Sequence, residues 1–174
     1  AINTNTISVS PGGTTVYTLT GANGTCVVSN TVQVTVNTTP TVNISGTSTL
    51  CSGNPVVLTG ATASTYTWST SATTNTISVT PPSGTTTYTL TGANGPCTAT
   101  ASITLTVTPT PTLSVNSPSI CSGQSTVLTA ATANTYSWST SATTNTISVN
   151  PSSTTVYTVT GDNGNGCTST STAT

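Results

Sequence analysis

The chain has 174 residues with no Lys, Arg or His and a single acid, Asp162, so its formal net charge is −1. Its 51 Thr and 25 Ser mean that about 44% of residues carry an aliphatic hydroxyl. The inventory leaves out an acid–base active site, which draws mainly on His, Glu, Asp or Lys, a nucleic-acid surface, which needs Lys or Arg against phosphate, and a calcium site, which needs several carboxylates.

An enzyme is therefore not expected, nor a cofactor, a metal or a nucleic-acid partner. The dominance of Thr and Val argues for strands rather than disorder, because both are β-branched and the net charge is low. No run approaches the ~18 consecutive apolar residues of a membrane span.

Taken from the N-terminus, the chain repeats itself. Residues 5–26 (NTISVSPGGTTVYTLTGANGTC) match residues 75–97 (NTISVTPPSGTTTYTLTGANGPC). Residues 65–80 (TYTWSTSATTNTISVT) and 135–150 (TYSWSTSATTNTISVN) agree at fourteen of sixteen positions, 70 residues apart. The same spacing joins Cys51 to Cys121 and Cys97 to Cys167. Residues 1–39 read as the back half of a repeat, 40–109 as a complete one, and 110–174 as a third lacking the end of its last strand. Self-similarity at a fixed period marks a tandem array.

Within the complete repeat, period-two alternation predicts six strands: 41–45, 56–59, 65–69, 76–80, 86–91 and 99–108. A seventh short strand is expected within 70–75. Turn signals separate the runs at Ser52-Gly53-Asn54-Pro55, Pro81-Pro82-Ser83-Gly84 and Ala93-Asn94-Gly95-Pro96. Short strands at this spacing imply all-β, with tandem β-sandwich domains of about 70 residues. Tyr66 and Trp68 fall on one face of a central strand, and with Tyr17, Tyr88, Tyr136, Trp138 and Tyr157 are expected in the core. The alternative, that Trp68 and Trp138 form a sugar-stacking platform, requires them to be exposed. The opposite strand faces are Thr ladders. The junctions, Thr38-Thr39-Pro40 and Thr108-Pro109-Thr110-Pro111, are short and Pro-containing, hence extended and semi-rigid.

Five cysteines, Cys26, Cys51, Cys97, Cys121 and Cys167, lack the spacing and the His of a zinc site. Two arrangements respect the repeat. Cys51 pairs with Cys97 and Cys121 with Cys167, leaving Cys26 to a partner outside the sequence; or Cys26 pairs with Cys51 and Cys97 with Cys121. The first is preferred, because a small domain gains from an internal staple, and closing a loop of this size contributes roughly 4 kcal/mol. Both imply an oxidising, extracytoplasmic setting.

Asn23, Asn37 and Asn43 begin N-glycosylation patterns. The Thr and Ser density favours O-linked sugar, with Thr38, Thr39, Thr73, Thr74, Thr108, Thr110, Thr112, Thr143 and Thr144 as candidate acceptors. A glycan coat would solvate a surface that has almost no charge to keep copies apart. Uncharged strand edges also lack the Lys guards against edge pairing, so self-association into a homopolymeric fibre is expected.

The order Ile120-Cys121-Ser122-Gly123, Tyr136–Thr140, Asn145–Val149, Thr155–Thr160 and the Gly164–Cys167 turn resembles the immunoglobulin-like (PKD-like) tandem repeats of very large secreted and surface proteins of Bacteroidota. The middle repeat carries the same series with Leu50 for the Ile. The resemblance covers the whole chain. It implies immunoglobulin-like sandwiches, export to the cell surface or beyond, and service as a spacer, stalk or adhesin shaft. The near absence of charge departs from that family's usual composition. The expected function is a structural repeat of an extracellular shaft that forms a fibre or filament; the alternative is a carbohydrate-binding or adhesive module.

Overall fold

The structure is a computed structural model that describes residues 5–174. Among the described residues the chain is all-β, with fifteen strands and no helix. It forms two compact units. The first comprises residues up to Ser45, Thr59–Ile77 and Tyr88–Ser102; the second comprises Gly46–Leu58, Ser78–Thr87 and Ile103–Thr174. The division falls inside the middle repeat.

The first unit begins with a hairpin, β1 (Thr15–Asn23) and β2 (Cys26–Val34), in register from Thr15↔Val34 to Asn23↔Cys26. Its two-residue loop places Gly24 at φ 64°, a conformation glycine adopts without a Cβ clash. These two strands form a two-stranded sheet of their own. Leu19 holds the repeat position of Leu90 but is 69% exposed where Leu90 is 0% exposed.

In the middle repeat the strands are β3 (Asn43–Ser45), β4 (Thr49–Cys51), β5 (Val56–Ala61), β6 (Thr65–Trp68), β7 (Thr76–Val79), β8 (Gly84–Asn94) and β9 (Cys97–Thr108). Their sheet orders are β3-β5-β7 and β4-β9-β8-β6. In the first unit β3 runs antiparallel to β5 and β6 antiparallel to β8, with Trp68 opposite Leu90. In the second unit β4 runs parallel to β9, with Thr49↔Thr106, Leu50↔Val107 and Cys51↔Thr108. Strand β9 shows why the sequence alternates. Thr98, Thr100, Ser102, Thr104 and Thr106 are exposed, while Leu105 and Val107 between them are buried. Successive side chains point to opposite faces, so the Thr positions take the solvent face.

The seventh strand is β4, not a strand within 70–75. That segment is a tight loop: Ser71 N donates to Trp68 O at 2.8 Å and Trp68 N to Ala72 O at 2.8 Å, with Ser71 at φ 67°. The loop also receives the indole, because Trp68 Nε1 donates to Thr74 O at 2.9 Å.

The third repeat lies wholly in the second unit. Its strands are β10 (Ser114–Val115), β11 (Thr126–Ala131), β12 (Thr135–Trp138), β13 (Thr146–Val149), β14 (Tyr157–Asp162) and β15 (Thr168–Ala173). They form sheets ordered β10-β11-β13 and β12-β14-β15. Leu128 and Ala130 of β11 and Ile147 and Val149 of β13 meet Trp138 of β12, Val159 of β14 and Ala173 of β15 in one core. Two sheets closing on a shared apolar layer is the packing of a β-sandwich. A counterpart of β4 at residues 119–121 is not formed. Strand β4 depends on Thr106–Thr108 for its hydrogen bonds, and the repeat positions of those residues lie past Thr174.

Close packing here depends on a glycine. A Cβ on Gly161 would lie 2.6 Å from Ala133 Cβ and 2.8 Å from Leu113 Cδ1. Gly161→Ala is therefore expected to destabilise the fold by about 1–3 kcal/mol through overpacking. Gly12→Ala, where nothing lies within 4 Å, is expected to be near neutral. Urea unfolding of the two variants checks the contrast.

Candidate functional site: the repeat junctions

Side-chain hydrogen bonds and the disulfide come together where the middle repeat meets the third. At the second junction, β9 ends at Thr108 and the chain continues through Pro109, Thr110 and Pro111. The turn after β14 folds onto this segment. Asn163 Nδ2 donates to Pro109 O at 2.7 Å, while its Oδ1 accepts from Asn165 N at 2.9 Å and Cys167 N at 3.3 Å. One side chain thus shapes its own turn and grips the junction. Asp162 Oδ1 accepts from Gly164 N at 2.5 Å, the local role for which Asp is common in turns. Ser169 Oγ adds a bond to Pro111 O at 2.7 Å.

Beside this clamp, Cys51 is bonded to Cys167, with their Cα atoms 5.5 Å apart. Strand β4 brings Cys51 there: it is the register partner of Thr108, and Ser52 N donates to Thr108 O at 2.8 Å. The Asn163 turn brings Cys167, which is 2% exposed. The bond links the Cys-Ser-Gly turn of the middle repeat to the Asn-Gly turn of the third.

This corrects the cysteine pairing expected from sequence. Cys51–Cys97 is not formed, because Cys97 opens β9 and the partner of Cys51 closes it. Eleven residues at ~3.3 Å each separate those strand positions by roughly 36 Å, against the ~5.5–6 Å of a disulfide. Cys121–Cys167 is not formed, because Cys167 is already bonded. The other arrangement, Cys26–Cys51 and Cys97–Cys121, is not formed either; Cys26, Cys97 and Cys121 carry free thiols.

The first junction has the same bond from a turn asparagine to the linker. Asn94 Nδ2 donates to Thr38 O at 3.2 Å, and its Oδ1 accepts from Ser64 N and Ser64 Oγ, both at 2.9 Å. Aligning the junctions by their Val-x-x-x-Pro pattern sets Val36, Asn37, Thr38 and Pro40 against Val107, Thr108, Pro109 and Pro111. Asn94→Thr38 and Asn163→Pro109 are then the same bond in successive repeats. Cys97 Sγ donates to Asn37 O at 3.4 Å, and Asn37 is the counterpart of Thr108.

Further first-strand contacts recur. Thr62 Oγ1 donates to Thr41 O, and Thr132 Oγ1 donates to Thr112 O. Both threonines have positive φ, 69° and 74°, which is uncommon for a β-branched residue. The same conformation at the same repeat position, held by the same bond, marks a built feature of the unit.

The aromatic side chains are structural in their placement. Trp68 and Trp138 are 2% and 3% exposed, and each indole N–H is spent on a loop carbonyl, Thr74 O or Thr144 O. Tyr88 is buried, and Tyr17, Tyr66, Tyr136 and Tyr157 are half-buried. The hydroxyls of Tyr66 and Tyr136 accept from Ala63 N and Ala133 N. A stacking platform on the tryptophans is therefore ruled out by their burial.

Among the candidate sugar acceptors, Thr38, Thr39, Thr73, Thr74, Thr112, Thr143, Thr144, Asn23, Asn37 and Asn43 are exposed, and Thr108 and Thr110 are half-buried. Thr74 and Thr144 use their hydroxyl protons on Thr76 O and Thr146 O, each at 2.6 Å. Glycosylation there would cost that bond; at the adjacent Thr73 and Thr143 it would not.

Sequence reasoning missed both junction asparagines: Asn94 entered only as part of a turn signal, and Asn163 was not singled out. The signal was the recurrence of Asn at the same step of three turns, at Asn23, Asn94 and Asn163.

No protein-family model matches the sequence, and no curated protein is similar to it. Among solved structures, the chain is similar to the three N-terminal domains of the bacteriophage RB49 highly immunogenic outer capsid protein (Hoc), with 18% identity and a TM-score of 0.38. The match covers 78% of this chain and 57% of that one, so this chain spans little more than half the length of the structure it matches.

Two variants report on the clamp. Replacing both Cys51 and Cys167 by Ser is expected to lower the unfolding free energy by about 2–5 kcal/mol, the usual cost of losing a native disulfide. Cys26→Ser, at an exposed thiol, is expected to leave it unchanged. Asn163→Ala removes the Pro109 bond and leaves two turn N–H groups without their acceptor; a loss of about 1–3 kcal/mol is expected. Denaturant titration of each variant under non-reducing conditions checks both.

Proposed function

We propose that this chain is a stretch of an extracellular shaft: tandem immunoglobulin-like domains of about 70 residues, with boundaries at 40–109 and 110–174, that assemble into a surface fibre. The observation that carries the reading is the same bond at both junctions, from a turn asparagine to the linker backbone. Each short Pro-containing connection is gripped by an Asn from the turn that follows it, Asn94 on Thr38 and Asn163 on Pro109. A bond from the turn to the linker backbone removes freedom that a string of independent binding modules would retain. Near-identical repeats on a fixed connection present the same surface at regular intervals, the condition for ordered stacking.

Supporting it are the disulfide, which belongs to an oxidising compartment, and a surface of Thr and Ser with one charged side chain. The resemblance to repeats of Bacteroidota surface proteins points the same way. On this reading the protein is not an enzyme, and its partners are copies of itself and covalent O-linked glycans, carried on exposed loop and junction hydroxyls such as Thr73, Thr112 and Thr143. The adhesive alternative loses its strongest residues with the burial of Trp68 and Trp138.

Electron microscopy of the native-source material tests the shaft. Ordered fibres are the expected result; compact particles at every concentration would overturn it. Mass spectrometry of the same material tests the coat separately. Sugar mass increments are expected on the peptides carrying Thr73, Thr112 and Thr143, and unmodified masses throughout would remove the glycan while leaving the fibre standing.

A further inference from the structure

We propose that Cys51–Cys167 is one instance of a rule: at every junction of this array, the Cys-Ser-Gly cysteine of one repeat bonds to the Asn-Gly cysteine of the repeat after it. Cys97 is then the receiving half of such a site, for the Cys-Ser-Gly cysteine of a repeat placed before the middle one. Cys121 is the donating half toward a repeat placed after the third.

The structure supplies three independent supports. The bonded pair crosses repeats, and its separation of 116 residues is one repeat of 70 plus the 46 between Cys51 and Cys97. The unpaired Cys97 lies beside the first junction, as the bonded Cys167 lies beside the second. Its Sγ lies 3.4 Å from Asn37 O, and Asn37 is the counterpart of Thr108, the register partner of Cys51. The bond from the turn asparagine to the linker, close to the Asn-Gly cysteine in sequence, is made at both junctions, by Asn94 to Thr38 O and by Asn163 to Pro109 O. The rule also accounts for which thiols remain. Within residues 1–174 only one Cys-Ser-Gly cysteine is followed by another repeat's Asn-Gly cysteine, so one bond forms and Cys26, Cys97 and Cys121 stay reduced.

Each bond is an oxidation of two thiols. A thiolate of one cysteine attacks a disulfide oxidant and displaces one thiol from it. The second cysteine's thiolate then displaces the other, forming the inter-repeat S–S bond. Two protons and two electrons leave the protein, and the oxidant departs as two thiols.

The test begins with the full chain, folded at high dilution in a buffer of reduced and oxidised glutathione. Free thiols are alkylated and the peptides mapped without reduction. The expected result is a Cys51–Cys167 linkage and three alkylated cysteines. A second chain carries residues 40–109 duplicated in tandem, seven cysteines in all. There the rule predicts two disulfides and again three alkylated cysteines, because lengthening the array adds one bond and no thiol. Either pairing first read from sequence leaves a single thiol in both chains. One thiol in either chain, five in the longer one, or a Cys51–Cys97 linkage in the original chain would overturn the proposal. Should the longer chain fail to fold, the linkage and thiol count of the original chain still decide between the rule and the two rejected pairings.

Discussion

The register of β9 is the constraint on which the rest of this structure depends. Its twelve residues run from Cys97 to Thr108 without interruption. Every conclusion about covalent connection follows from which neighbour lies beside which end. Strand β4 adds in parallel at the closing end and sets Cys51 against Thr108. The opening end carries Cys97 and the Asn94 turn, which reach back to Asn37 and Thr38. Cys97 at one end of β9 and Cys51 beside the other cannot close on each other. Each lies against a neighbouring repeat instead, and the disulfide becomes a connector between repeats.

The near absence of charge is less of a handicap than composition suggests. Exposed ion pairs contribute only ~0–1 kcal/mol each, so a fold without them forgoes little. What must be satisfied is the buried polar inventory. No polar or charged residue is buried among the described residues, and no buried side-chain nitrogen or oxygen there lacks a partner. The large polar-tipped residues meet this by local means: both indoles donate to a loop six residues on, and both strand tyrosines accept from a backbone N–H three residues back. Such contacts are carried by the repeat itself, so they recur wherever the sequence recurs. Hydroxyls then occupy the outer faces, where Thr87 and Thr104 bond across strands at 3.0 Å, and the β-branched side chain favours the strand in any case.

How far the sequence could be read follows from the range of each signal. The strands of alternating Thr and aliphatic residues were legible because alternation is a property of the segment alone. Strand β4 was not. Its three residues, Thr49-Leu50-Cys51, carry no period, and it exists because β9 offers a parallel edge. The disulfide failed for a related reason. The preference for a staple inside each small repeat set Cys51 with Cys97, whereas the choice is made by where strand ends lie in space. Asn94 was visible as part of a turn signal and Asn163 was not singled out; their bonds to carbonyls more than fifty residues away leave no local trace.

A bond between Cys51 and Cys167 encloses 115 residues in one covalent loop. Tension applied from before Cys51 to after Cys167 passes through the sulfur atoms rather than through the intervening backbone. A cut anywhere inside the loop, at the exposed 70–75 turn or at the Pro109 junction, leaves the two ends joined. The hydrogen bonds of Asn163 and Ser169 hold the junction's geometry, but each contributes only ~0.5–1.5 kcal/mol and yields under load. The two devices are therefore complementary. Hydrogen bonds fix how one repeat follows the next, and the disulfide ensures that it still follows after those bonds have broken. Because the second device sits beside the first and spans two repeats, the connection outlasts the hydrogen bonds that shape it.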